Sequence, residues 1–250
     1  MITVQIIDDN IHASQILASY LNQDPDIKVV NISADGEKGK NNYLKLKPDV
    51  LILDLELPSM NGAEILDCLC KSEDNVSHSV NVIVVSAHFK DYNFDFATKL
   101  HSCIEKPYEL YQIKDRIKTV YNSFVFDNFL EKCRESCYDL MTDLYLKPSN
   151  EYTKCLMEAV LYLIAEQKTS FLLTDICKNL SKKFNKSERL INWNLERAAR
   201  SLKDNCPFTT FREVFPNYKH SSFTLKQLIS LIANKLDPGH SYTEQTHCIH

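Results

Sequence analysis

The chain has 250 residues, a formal net charge of −4 and 44% hydrophobic residues, enough to fill one large core or two of ordinary size. It lacks a run of about 18 apolar residues, so a transmembrane helix is not expected. Its start, Met1-Ile-Thr-Val-Gln-Ile-Ile-Asp8-Asp9, runs into acid without the basic and long apolar regions of a signal peptide. A cytoplasmic protein without membrane contact is expected.

In the first half, short apolar runs alternate with amphipathic stretches. Ile2–Ile7, Ile27–Ile32, Val50–Leu53, Val80–Val85 and Ser102–Glu105 read as strands, several of them β-branched and continuous, as in strands buried on both faces. Helical patterns lie between them near Ile11–Leu21, Gly36–Leu46, Gly62–Cys70, Lys90–Leu100 and Leu110–Tyr121. Successive βα units predict an α/β doubly wound (βα)5 domain over 1–122, with a parallel sheet and helices on both faces. A linker is expected over 123–138, an all-α domain over 139–236 and a mobile tail over 237–250.

Nine cysteines are scattered through the chain without a zinc-type pair of pairs, and reduced, packed thiols are expected. His240, His247, Cys248 and His250 in the tail offer metal-ligating atoms, but a loose segment supplies no fixed geometry. Charge divides unevenly: residues 1–126 carry 12 basic against 18 acidic side chains, and Lys178–Lys203 carries 8 against 2. Separate tasks for the two halves follow from that asymmetry.

Chemistry-bearing residues fall at the ends of the predicted strands. Asp8 and Asp9 follow the first, Asp54 the third, Ser86 the fourth and Lys106 the fifth, so all converge on the carboxyl edge of a parallel sheet, where such sheets bind ligands. Clustered carboxylates repel unless a cation sits among them, and a hard, oxygen-liking ion such as Mg²⁺ (or Mn²⁺) suits them. With Lys106, such an ion neutralises charge on a transferring phosphoryl group, leaving Asp54 as the nucleophile.

These residues, with the segment Asp54-Leu-Glu-Leu-Pro-Ser-Met-Asn-Gly62, Ser86-Ala87 and Lys106-Pro107, resemble the receiver domain of two-component response regulators. The resemblance implies Asp54 as phosphoacceptor, Asp8, Asp9, Asp54 and the backbone carbonyl of Glu56 as metal ligands, and Ser86 and Lys106 as phosphoryl partners. It also implies a cis bond before Pro107. A histidine kinase or phosphotransfer protein would be the donor. Receivers usually place a switching aromatic three residues before the lysine. Here that position is Cys103, and Ser86–Leu100, with Phe89, Tyr92, Phe94 and Phe96, is the alternative moving segment.

In the second half, Thr174–Phe184 carries Ile176, Leu180 and Phe184 at i, i+4, i+8, with Thr174 as N-cap and Asn185 as a left-handed C-cap. A helix over Ser187–Leu202 follows, with Ile191, Leu195, Ala198 and Leu202 on one face. Two helices joined this tightly read as a helix-turn-helix. The opposite face bears Arg189, Asn192, Trp193, Glu196, Arg197 and Arg200, residue types able to read base edges, and Lys182, Lys183 and Lys186 are placed to hold phosphates. Trp193 is either exposed on this face or buried as core.

Tyr145-Leu146, Cys155–Leu163, Asp175–Asn185 and Phe223–Leu236 resemble the effector domain of the sporulation-initiation master regulators of spore-forming Firmicutes, although Leu190, Trp193 and Glu196 stand where that family has base-reading arginines. The combined expectation is a transcription regulator rather than an enzyme. Phosphorylation of Asp54 would make a homodimer that binds double-stranded DNA. The alternative is a phosphorylation-dependent protein-interaction regulator that no longer reads DNA.

Overall fold

In the computed structural model, which describes residues 1–71, 81–87, 100–168 and 170–244, the apolar runs of the first half form parallel strands. These are β1 (Ile2–Ile7), β2 (Ile27–Ser33), β3 (Val50–Asp54), β4 (Val82–Ser86) and β5 (Leu100–Glu105). They pair in the order β2-β1-β3-β4-β5. Period-two alternation divides their side chains between two cores. Ile2, Val4, Ile6, Val50, Ile52, Ile83 and Val85 pack with Leu17, Ala18 and Leu21 of α1 (Ile11–Leu21). Ile7, Leu51, Leu53, Val82 and Val84 face the other way. There they meet Tyr43 of α2 (Gly36–Leu46) and Ile65, Leu66 and Leu69 of α3 (Gly62–Lys71). With both faces covered, every residue of β3 and β4 is buried, which is why those segments read as unbroken apolar runs.

The expected helix over Lys90–Leu100 lies outside the described residues, except that Leu100 opens β5. Helix α4 spans Leu110–Asp143, through the segment expected as a linker. Its Ile113, Ile117 and Val120 join the sheet's core, while Cys133, Cys137, Leu140 and Met141 join a second, separate core. The chain divides into Met1–Phe126 and Asp127–His250, a boundary that falls inside α4. Apolar residues continue past Val120 at Phe124, Val125, Phe126, Phe129 and Leu130, but none of them is fully buried, and the backbone runs on as helix through the change from one core to the next.

The second unit is helical. Helix α5 (Glu151–Glu166) is buried on most of its circumference and packs against α6 (Leu173–Phe184), α7 (Glu188–Asn205) and α9 (Leu225–Leu236). A helix that apolar all round belongs at the centre of its domain. Between α7 and α9 lies α8 (Phe208–Val214), whose Phe211 ring stacks on Phe223 at 5.0 Å. The strands β6 (Ser170–Phe171) and β7 (Thr243–Glu244) pair in parallel. Tyr242, in the stretch expected as a tail, is buried and donates to Asp237 Oδ2 at 2.6 Å.

The caps around α6 and α7 differ in part from expectation. Leu172, not Thr174, is the N-cap of α6, and Thr174 lies within the first turn. Asn185 takes the left-handed conformation at φ 51°. Ser187 caps α7, accepting from the Leu190 N–H.

Candidate functional site

The strand order reverses direction between β1 and β3, which leaves a crevice at their carboxyl ends. Asp8 and Asp9 follow β1, and Asp54 closes β3 directly beside them. Oxygens of these three carboxylates lie within 4.8 Å of one another. Asp8 and Asp54 are each 5% exposed, while Asp9 faces solvent. Lys106, one residue beyond β5, reaches both buried acids, with Nζ 2.6 Å from Asp54 Oδ2 and 2.8 Å from Asp8 Oδ2.

Burial disfavours a charged carboxylate and raises the pKa of Asp54, although the Lys106 ammonium and the Glu56 N–H, at 3.1 Å, oppose it. For Lys106, burial pulls down. The hydrogen bonds and charges of Asp54 and Asp8 outweigh it, and its pKa is raised. The ammonium is therefore held charged against the Asp54 carboxylate.

The surrounding backbone fixes this geometry. The Asn10 N–H donates to Asp8 Oδ1 at 2.8 Å while the Asn10 side chain caps α1. Gly62 sits so close under the β3 end that an added Cβ would run into the Asp54 carbonyl oxygen and the Leu55 backbone. Its N–H donates to the Leu55 carbonyl at 3.0 Å. Ser86 is buried at the end of β4, and its carbonyl accepts from the Lys106 N–H at 3.1 Å. The Lys106-Pro107 peptide is cis.

All the pocket residues expected from sequence are thus brought to one edge. Two neighbours were not anticipated. Asn10 orients Asp8, and the phenol of Tyr108 lies close enough to Asp8 and Asp54 for their charges to add to the upward shift that burial causes. Tyr108 directly follows the Lys-Pro pair, the one sequence signal that marks it. Cys103 is half-buried against the core cluster of Leu51, Leu53 and Val84, and burial pushes its thiol up. Phe89, Tyr92, Phe94 and Phe96 lie outside the described residues.

In the second unit, Lys182, Lys183, Arg189, Asn192, Trp193, Arg197 and Arg200 are exposed, which answers the open question about Trp193, and Lys186 is half-exposed. They are not equally available. Lys183 Nζ pairs with Glu158 Oε2 at 2.5 Å, and Lys186 pairs with Glu151. The Arg197 guanidinium lies 5.1 Å from the ring centres of both Trp193 and Tyr152.

Residues 4–118 match the family described as response regulator receiver domain. The first unit is a receiver domain. Among curated proteins, protein-glutamate methylesterase/protein-glutamine glutaminase 1 of Myxococcus xanthus is 39% identical over 88 residues, covering 35% of this chain and 24% of that protein. The enzyme of the same name from Thermotoga maritima is 30% identical over 111 residues, covering 42% and 32%, and that of Bacillus subtilis is 28% identical over 129 residues, covering 47% and 34%. The chain thus spans about a quarter to a third of the length of these relatives. The solved response regulator domain of Thermotoga maritima CheB is 25% identical, with a TM-score of 0.41, covering 49% of this chain and 97% of that one.

These relatives are named as enzymes that act on proteins, not as sporulation or transcription regulators. They correct the expected kinship with the sporulation regulators, the helix-turn-helix DNA-binding output in transcription control, and the reading of the chain as no enzyme. The source of the misreading is physical. The likeness to the sporulation effector rested on short stretches such as Cys155–Leu163, Asp175–Asn185 and Phe223–Leu236, which lie in packed helices whose apolar patterning many helical units share. No helix among the described residues is long and apolar enough to cross a membrane.

Proposed function

We propose that this chain is a phosphorylation-switched response regulator in which Asp54 takes a phosphoryl group from a phosphohistidine of a histidine kinase or phosphotransfer protein. The observation that carries this reading is the Lys106 ammonium held between the buried Asp54 and Asp8 carboxylates at 2.6 and 2.8 Å. An Asp54 carboxylate oxygen attacks phosphorus. The P–N bond breaks as the new P–O bond forms, and the departing imidazole takes a proton. Lys106 turns toward the phosphoryl oxygens, and the Ser86 hydroxyl donates to them. The hard oxygen donors Asp8, Asp9 and Asp54, together with the Glu56 carbonyl, suit Mg²⁺ or Mn²⁺, which when bound neutralises phosphoryl charge.

The receiver is proposed to govern an effector in Asp127–His250. The names of the curated relatives make hydrolysis of protein glutamate methyl esters or glutamine amides the first output to assay.

Acetyl phosphate with Mg²⁺ is expected to add one phosphoryl group, read by intact-mass spectrometry, and Asp54→Asn to remain unmodified. Labelling of the Asn variant to the same extent would place the acceptor elsewhere. Sizing chromatography with beryllofluoride tests self-association in the same samples.

A further inference from the structure

The exposed face of α7 bears a group of side chains that phosphoryl chemistry does not use. Trp193, the chain's one tryptophan, is 47% exposed and Leu190 is 41% exposed. Residues four and seven apart share a helix face, so Arg189, Arg197 and Arg200 surround Trp193. The Arg197 guanidinium lies over both the Trp193 and Tyr152 rings, and the Tyr152 hydroxyl accepts from Asn150 Nδ2 at 2.6 Å. Beneath this face Ile191, Leu195, Ala198 and Leu202 are buried, so the platform is anchored. Glu196 is the acidic member of the face, and its carbonyl accepts from Arg200 Nε at 3.4 Å.

Two properties identify an occupant. An exposed tryptophan beside arginines is the composition of a protein-binding hot spot, where aromatic rings give area and guanidinium groups clasp carboxylates in pairs. The lysines of the preceding turn, Lys183 and Lys186, are engaged by Glu158 and Glu151. Lys182 stays exposed beside them, and on α7 Arg189, Arg197 and Arg200 flank the apolar Trp193 ring along one helix face, an arrangement that suits a partner offering both an apolar side chain and carboxylates. We propose that this face docks an acidic amphipathic helix of a partner protein. An apolar side chain of that helix covers Trp193 and Leu190, and its carboxylates pair with Arg189, Arg197 and Arg200.

Trp193 itself supplies the readout. The full chain is titrated with a synthetic amphipathic peptide of about five helical turns, with leucines on one face and glutamates on the other. Its lysine counterpart and a mixed-sequence DNA duplex serve as the other arms. A saturable blue shift of the emission is expected with the acidic peptide alone. Arg200→Glu and Leu190→Ser, their folds checked by circular dichroism, are each expected to weaken it at least ~10-fold, equal to about 1.4 kcal/mol. The proposal is overturned by no saturable shift, by an equal shift with the lysine peptide, or by unchanged affinity in both variants. Tighter, steeply salt-dependent binding of the duplex would also overturn it and assign the face to nucleic acid.

Discussion

At the scale of single residues, the pocket depends on one cation facing two buried acids. Lys106→Met leaves Asp8 and Asp54 without that partner and removes a donor from the developing phosphoryl charge. Acetyl-phosphate labelling is expected to slow ~10²–10³-fold, the usual size of such a loss, in a time course by mass spectrometry. Gly62→Ala forces a Cβ against the Asp54 carbonyl oxygen and the Leu55 backbone. Neither neighbour is a yielding side-chain tip, so about 2–3 kcal/mol of destabilisation is expected in urea unfolding. The five pocket residues were legible because each ends an apolar run, and a parallel sheet carries all such ends to one edge. Asn10 and Tyr108 were not, because their part depends on where a cap and the turn after Pro107 aim them. Lys183 and Lys186 read as phosphate contacts because their acidic partners stand 25 and 35 residues away in sequence.

At the scale of elements, Glu158 of α5 ties three helices together. It accepts from Arg134 of α4 and from Lys183 of α6, each at 2.5 Å. Burial pushes its carboxyl up, but the two cations outweigh that and its pKa is lowered. A carboxylate depressed in the folded state stabilises above its unfolded pKa, and that contribution disappears as pH falls through the folded value. Glu158→Gln is therefore expected to lower stability at neutral pH by about 2 kcal/mol, between exposed and buried ion pairs. It should also flatten the loss below pH ~4.5, as read by urea midpoints across pH. At the start of α9, Thr224 and Gln227 form a reciprocal capping box. Thr224→Ala is expected to cost about 1 kcal/mol, and an unchanged urea midpoint would mean the box contributes nothing. The length of α4 was hidden because the helix passes from one core to another, and the apolar residues between, Phe124 to Leu130, keep no single buried face. Residues 121–132 of α4 carry no fully buried side chain.

At the scale of the whole molecule, each unit has its own core, so calorimetry of the full chain is expected to resolve two unfolding transitions. Mg²⁺ at ten times its dissociation constant should raise the receiver's transition by about 1.4 kcal/mol, and chelation should reverse this. Tyr242→Phe, which removes the hydroxyl held by the buried Asp237, should lower only the other transition. A single transition moved equally by both would show that the units unfold together. The sequence by itself determined the receiver: its strands, their parallel arrangement and the residues at their ends. Those features follow from local periodicity together with the few topologies open to βα units. Only the tertiary structure decided which cations are spoken for, that Trp193 is exposed, and that Lys106 stands between Asp8 and Asp54. These depend on pairings between distant segments, and burial and partnership are properties of packing that an individual segment does not encode. The receiver domain was therefore readable from the chain, whereas the output was not, since one amphipathic helical pattern serves many kinds of surface.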